Sequence, residues 1–288
     1  MKTIRKLTLA ALALALLLTL AACGNGGKDG GAERAGTVDD YSAERPVTVK
    51  IGLTGAIYED IWAPVAEKLR PEGILIETVQ FADFSLPNPA LNDGDIALNA
   101  FQHHAFFNDA VKTNGFDLTA IGDTYVIAMN LYSDVIDDVS QLKAGDKVAI
   151  PNDVTNGGRA LKLLESAGVL TVDPAAGNNP SKSDITEYRV DIELIEVDAA
   201  GVCALLPDVA AAVINGNYAL DNGIKPEEEA IFFEKDYVDD SYFCLIAART
   251  GEKDAKAYRR IVEAYQSDDT KQVFEDVFDG FFVPVWED

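Results

Sequence analysis

A chain of 288 residues with 48% hydrophobic and 25% charged residues is long enough to bury one large core or two separate lobes. Forty-eight acidic against twenty-four basic residues give a formal charge of −24. Such a surface repels phosphate backbones and anionic lipid headgroups, which excludes nucleic-acid binding, and it needs no binding site to account for it beyond solubility.

Residues 1–22 join a basic start (Lys2, Arg5, Lys6) to an apolar run over 7–20, followed by Ala21, Ala22 and Cys23. An apolar run of about 14 residues is too short to span a bilayer and matches the core of a signal peptide. The ending LAAC resembles a bacterial lipobox, which implies that Cys23 becomes an acylated, palmitate-bearing mature N-terminus. Simple cleavage after a small residue, with Cys23 incidental, is the alternative. The stretch 23–45 is Gly-rich and polar, as a flexible tether from a membrane anchor would be. No later segment has the apolar length to cross a membrane. Export would place Cys203 and Cys244 outside reducing cytosol, where they either pair or remain as buried thiols.

In chain order, 46–53 (PVTVKIGL) alternates as a strand with Val47, Val49 and Ile51 on one face. The spacing of Ile61, Val65 and Leu69 predicts a helix over 57–69, and 74–79 is a second strand. A turn at 87–89 (Pro-Asn-Pro) precedes a short helix ending near Gly94. The segment 94–107 (GDIALNAFQHHAFF) begins as a strand over 95–98 and is expected to break at Asn99. It gathers Phe101, His103, His104, Phe106 and Phe107 into one wall of a pocket. A helix over 106–113 stops at Asn114-Gly115, and strands follow over 118–121 and 125–131. Strands alternating with helices indicate an α/β fold with a largely parallel sheet.

A second unit starts with a helical piece at 139–142 and a strand at 148–150. In PNDVTNGGRALKLLESAGVL, Thr155 or Asn156 is expected to cap a helix over 157–167 that Gly168 ends. That frame puts Arg159 in the first turn, where unpaired amides already favour an anion and a cation needs a reason. A ligand carboxylate held bidentately is one reason, and alanine in a first turn would leave the fold intact. A salt bridge to one of the many acidic side chains is an equal one. After a loop at 175–184 come a strand at 192–197, a helix at 205–210 and a buried strand at 211–214. Asn215 and Asn217 stand at its carboxyl end, where α/β folds commonly meet ligands and where turn chemistry also favours asparagine. A strand at 243–248 and an amphipathic helix at 255–265 complete the pattern.

No phosphate-binding glycine motif, paired CxxC or GxSxG elbow is present. With only His103 and His104, adjacent and so pointing apart, no metal or other cofactor is expected. Nucleophilic catalysis by Cys203 or Cys244 has no supporting motif, so an enzyme is not expected.

Five blocks in order, FADFSLPNPAL, GDIALNAFQHHAFF, VAIPNDVTNGGRAL, AAVINGNYA and AYQSD, resemble the NlpA/methionine-binding lipoprotein family over roughly 47–278. The resemblance implies a two-lobe periplasmic-binding-protein fold (a type 2 solute-binding protein) with two crossover strands, near 126–130 and 237–244. The lobes would comprise 46–128 with 243–288, and 129–242. It further implies a lipid-anchored, extracytoplasmic binding subunit that captures L-methionine or a close analogue for an ABC permease and its ATPase. The membrane would be contacted through the anchor only. Carried over by position, Phe84, Phe101, His103 and Phe106 form the aromatic lining. Arg159 with Asn156 would hold the carboxylate, and Asn215 would help hold the head group. Phe84 and Phe106 replace tyrosines, and Cys244 replaces an asparagine at the ligand's polar end. The family's Pro-Arg-Ser stretch is missing around Cys203. These departures keep a methionine dipeptide or another apolar amino acid open as the ligand.

Overall fold

The computed structural model describes residues 35–235 and 240–286. Chain order begins with β1 (Val47–Leu53), α1 (Tyr58–Leu69), β2 (Ile74–Gln80), α2 (Pro87–Asp93), β3 (Leu98–His103), α3 (His104–Asn114), β4 (Leu118–Asp123) and β5 (Tyr125–Ile127). Next are β6 (Met129–Tyr132), β7 (Lys147–Pro151), α4 (Val154–Ser166), β8 (Leu170–Val172), β9 (Ile185–Tyr188), β10 (Glu193–Val197), β11 (Ala211–Asn215), α5 (Gly216–Asp221), α6 (Pro226–Glu229) and β12 (Ala230–Phe232). The chain closes with β13 (Cys244–Arg249), α7 (Lys256–Tyr265), α8 (Asp268–Phe278) and β14 (Phe282–Pro284).

These elements build two lobes, each around a five-stranded sheet. The first sheet has the order β2-β1-β3-β13-β4 and the second β10-β7-β11-β6-β12. Alternation in β1 buries Val47, Val49 and Ile51, which meet the Tyr58, Ile61, Trp62, Val65 and Leu69 stripe of α1 in the first core. Met129, Leu131, Val148, Ile150 and Val213 pack with Leu161 and Leu164 of α4 in the second.

The sheets are mixed rather than largely parallel. In each, two parallel pairings are followed by two antiparallel ones. The reason is the crossover. The expected single strand over 125–131 is two, β5 pairing with β14 of the first lobe and β6 pairing with β11 and β12 of the second. Chain that enters a sheet from the other lobe arrives against the direction of its neighbours. The return crossing lies between β12 and β13 and falls partly outside the described residues.

Other departures have local causes. Pro87 opens α2 at a position where its missing N–H costs nothing, so the expected Pro-Asn-Pro turn is the first helical turn. Asn99 does not break β3, because its amide is buried and bonded, and the strand pairs with β13 as far as His103. The hairpin β8–β9, the short helices α5 and α6, and the terminal α8 and β14 were not anticipated.

Candidate ligand-binding site

Three strand-to-helix junctions, β3 into α3, β7 into α4 and β11 into α5, face one another between the lobes. With Phe84, β5 and β13 they line one concave pocket, the kind of place between lobes where small ligands bind. The structure brings Phe84, Phe101, His103, Phe106, Asn156, Arg159, Asn215 and Cys244 around this one pocket, together with Tyr58, Gln102, Ile127, Gly216 and Asn217.

One wall is aromatic. Phe84 lies 5.9 Å from Phe101 and 6.0 Å from Phe106, and Phe101 meets Phe106 edge-on at 6.1 Å. Tyr218 of α5 adds a fourth ring 4.8 Å from Phe84. Tilted and edge-on rings at these distances hold one another as well as burying area. Behind the wall, Gln102 exchanges hydrogen bonds with Asn88, at 2.7 Å in each direction, and Asn99 Nδ2 donates to Asn88 Oδ1 at 2.9 Å. This buried amide trio fixes the floor of β3 to α2. His104 and Phe107 leave the group: His104 bonds Asp123 at 2.7 Å, and Phe107 packs into the first lobe's core beside Leu91 and Leu245.

The other wall is polar, and its hydrogen-bond directions can be read outward from one carboxylate. Asp153, rather than Thr155 or Asn156, caps α4, accepting from the Thr155 and Asn156 amides. It also accepts from Asn156 Nδ2, at 3.1 and 3.0 Å for its two oxygens. Those bonds orient the Asn156 amide, so its Oδ1 points across the cleft. There it receives Asn215 Nδ2 at 2.8 Å and faces His103 Nε2 at 3.2 Å. His103 is the N-cap of α3 and accepts from the Phe106 amide through Nδ1, which leaves the hydrogen on Nε2 to donate. Burial, reinforced by the nearby Arg159 charge, lowers its pKa to about 3, so the ring is neutral. Asn215 Oδ1 is left as a buried acceptor with no partner among the described residues.

Arg159 is buried, and its partner is internal. Nε donates to Glu234 Oε1 at 2.7 Å and Nη2 to Glu234 Oε2 at 2.6 Å, while Nη2 also reaches the Ile127 carbonyl at 2.9 Å. Glu234 Oε2 accepts from the Met129 amide as well, and the Glu234 amide donates to Asn130 Oδ1. The pair thus bonds both sides of the crossing at Ala128, against whose carbonyl only a glycine fits at Gly216: a Cβ there would lie 2.6 Å away. Burial works against the Arg159 charge, but Glu234 more than offsets it and holds the pKa above its ordinary value. Nη1 takes no part in these bonds. Because α4 begins at Val154, Arg159 sits in the second turn, so the dipole argument lapses and the internal acid explains its placement. Removing it would strand a buried carboxylate, which corrects the expectation of a tolerated alanine.

Cys244 pairs in register with His103, is buried, and has its thiol pushed up to about 12 by that burial. Cys203 packs in the second lobe, with its thiol pushed up by burial to about 11. Both are free, so the disulfide alternative falls away. Among the described residues no cluster of histidine, cysteine and carboxylate side chains is placed to hold a metal ion, and no helix is long and apolar enough to cross a membrane. Cys23 lies outside the described residues. Glu234, Tyr218 and Tyr242, whose ring lies 4.4 Å from the Arg159 guanidinium, were missed from sequence. One glutamate among so many acids carries no local signal, whereas Tyr218 directly follows Asn217, at the strand end already read as a place where ligands are met.

Two α/β lobes closing on a small pocket at a hinge define the class of two-lobe solute-binding proteins. The NlpA lipoprotein family profile matches residues 49–286, and the chain belongs to that family. It is 36% identical over 273 residues to the D-methionine-binding lipoprotein MetQ of Salmonella typhimurium, covering 93% of this chain and 94% of that one. A nutrient-binding protein from Burkholderia cenocepacia, solved bound to methionine, superposes with a TM-score of 0.78 at 35% identity, over 83% of this chain and 100% of that one. The substrate-binding protein of a methionine transporter from Streptococcus pneumoniae does so with a TM-score of 0.78 at 34% identity, over 83% and 96% of the two chains.

Proposed function

We propose that this protein is the binding subunit of an ABC importer, capturing L-methionine or a close analogue and presenting it to a permease driven by its ATPase. The observation that carries the reading is the division of one closed pocket into an aromatic wall and an amide–guanidinium wall. A thioether against ring edges gains about 0.3–1.5 kcal/mol beyond area burial. The head group would find Nη1 of Arg159 for its carboxylate and Asn215 Oδ1 for its ammonium. Since Arg159 and Glu234 balance in charge and His103 is neutral, the site suits a zwitterion, which brings no net charge into a buried space.

In this reading residues 1–22 are a signal peptide and 23–45 a tether lipidated at Cys23, which holds the protein on the outer face of the cell membrane. Lobe one takes 46–128 and 243–288, and lobe two 129–242. It is a carrier and not an enzyme: the buried Cys203 and Cys244 thiols are held protonated, and His103, the neighbour of Cys244, has a pKa of about 3, so they supply neither nucleophile nor base near neutral pH. Calorimetric titration with both enantiomers of methionine, other apolar amino acids and methionine dipeptides tests this. Tightest binding of a methionine enantiomer is the expected result. Preference for a dipeptide or another apolar amino acid would revise the ligand, and no binding at all would sink the reading.

A further inference from the structure

At the start of helix α1 the Glu59 amide is met by the Ala56 carbonyl at 3.0 Å, but no neighbouring side chain acts as a cap. Its N-cap residue, Ile57, offers no side-chain cap, although the first four amides of any helix need partners. The partner comes from the other lobe. Asp221, the last residue of α5, accepts from the Ile57 amide through Oδ1 at 3.0 Å, across 164 residues of sequence. Four residues earlier on the same face of α5, Asn217 Nδ2 donates to the Thr54 carbonyl at 3.1 Å. The loop 54–57 is shaped to receive the carboxylate. Gly55 has φ +130°, and a Cβ there would collide with Asp221 Oδ2. Both ends of this contact adjoin the pocket, since Tyr58, Gly216 and Asn217 line it.

We propose that Asp221 is a closure latch, a positioning residue that caps α1 of the opposite lobe only when the cleft is shut and thereby sets the closed fraction. Opening separates the Asp221 carboxylate from the Ile57 amide and returns both to water, and Asp221 is not itself among the residues lining the pocket. Because affinity scales with the population of the binding-competent state, the latch acts on ligand retention from outside the pocket. Only the ligand half of this inference rests on the function proposed above.

The test uses the full-length protein in detergent, with spin labels on Lys112→Cys in α3 and Val154→Cys in α4, both exposed. Distance distributions are measured without ligand, and L-methionine dissociation is followed by stopped flow. Asp221→Ala is expected to move the distribution toward longer separations and to speed dissociation about threefold, the scale of a lost helix cap. Gly55→Ala should do the same, by crowding the carboxylate out. Asp221→Asn, which keeps an acceptor oxygen, should restore most of both effects, a rescue that a merely structural role would not predict. Unchanged distances in Asp221→Ala and Gly55→Ala would overturn the latch. Shifted distances with an unchanged dissociation rate would overturn its link to retention. If the parent does not bind L-methionine, the ligand reading fails and the distances alone decide the latch.

Discussion

The two walls of the pocket are built in opposite ways. The aromatic wall takes three of its members from six consecutive residues, Phe101, His103 and Phe106, presented by one strand turning into one helix. The polar wall is assembled from α4, the end of β11 and Glu234, whose bond to Arg159 spans 75 residues. Rings on the first wall touch one another rather than satisfying charges, so truncating one costs what its buried area is worth and no more. A dispersed wall of charge and amide is also part of the frame, because each member satisfies another. The comparison therefore predicts that substitutions on the polar side cost stability as well as affinity, whereas those on the aromatic side act in proportion to the area they expose.

The largest effect is expected from Arg159→Ala. Leaving Glu234 buried without its guanidinium should lower unfolding stability by about 3–5 kcal/mol, measurable by urea denaturation. Arg159→Met combined with Glu234→Leu should recover much of that loss while still failing to bind ligand, which separates the structural task of the pair from recognition. Phe101→Ala comes next. Phe101 is 3% exposed, and its truncation should cost about 3 kcal/mol of stability in the same assay.

The pH dependence probes His103, the member shared by both walls. Its folded pKa, about 3, lies below the value of about 6.5 expected in the unfolded chain, so the unfolded state binds more protons in between. Its contribution is fully present above pH 6.5 and is lost as pH falls toward 3. Between pH 6.5 and 5, where few carboxylates titrate, the loss should approach about 2 kcal/mol. His103→Gln should flatten that part of the stability profile; an unchanged slope would place a charged or solvent-reached imidazole there. The smallest effect concerns Cys244→Asn. An amide at that position would add a hydrogen bond to the ligand's polar end, and calorimetry should show affinity for methionine rising by about 1 kcal/mol.

How much of this was legible in the sequence follows the same division. The first core could be read from Val47, Val49 and Ile51 and from the Ile61, Val65 and Leu69 spacing, because periodicity is a local signal. Phe101, His103 and Phe106 of the aromatic wall were legible because they fall in one segment, whereas Tyr218 comes from the other lobe. The role of Asn156 as the pivot between His103 and Asn215 was not, since it depends on an amide orientation set by Asp153. Glu234 was invisible: nothing marks one acid in a chain of forty-eight until folding lays it against Arg159. The change of sheet at Ala128 falls within the crossing that the family resemblance put near 126–130, but periodicity did not show it, because residues 125–131 look like one apolar strand whichever lobe pairs with each half.

The central claim is that one wall grips an apolar side chain while the other reads an amino-acid head group. Competitive titration of the ligand-free protein with L-methionine, L-norleucine and L-methioninamide tests it most directly. The account predicts that norleucine, which keeps the zwitterion and loses only the sulfur, binds within about 1.5 kcal/mol of methionine. Methioninamide, which lacks the carboxylate and carries a net positive charge, should bind at least about a hundredfold more weakly, a loss of about 2.7 kcal/mol. Equal affinity for methionine and methioninamide would contradict the account, because Arg159 and the amides around it would then have no part in recognition.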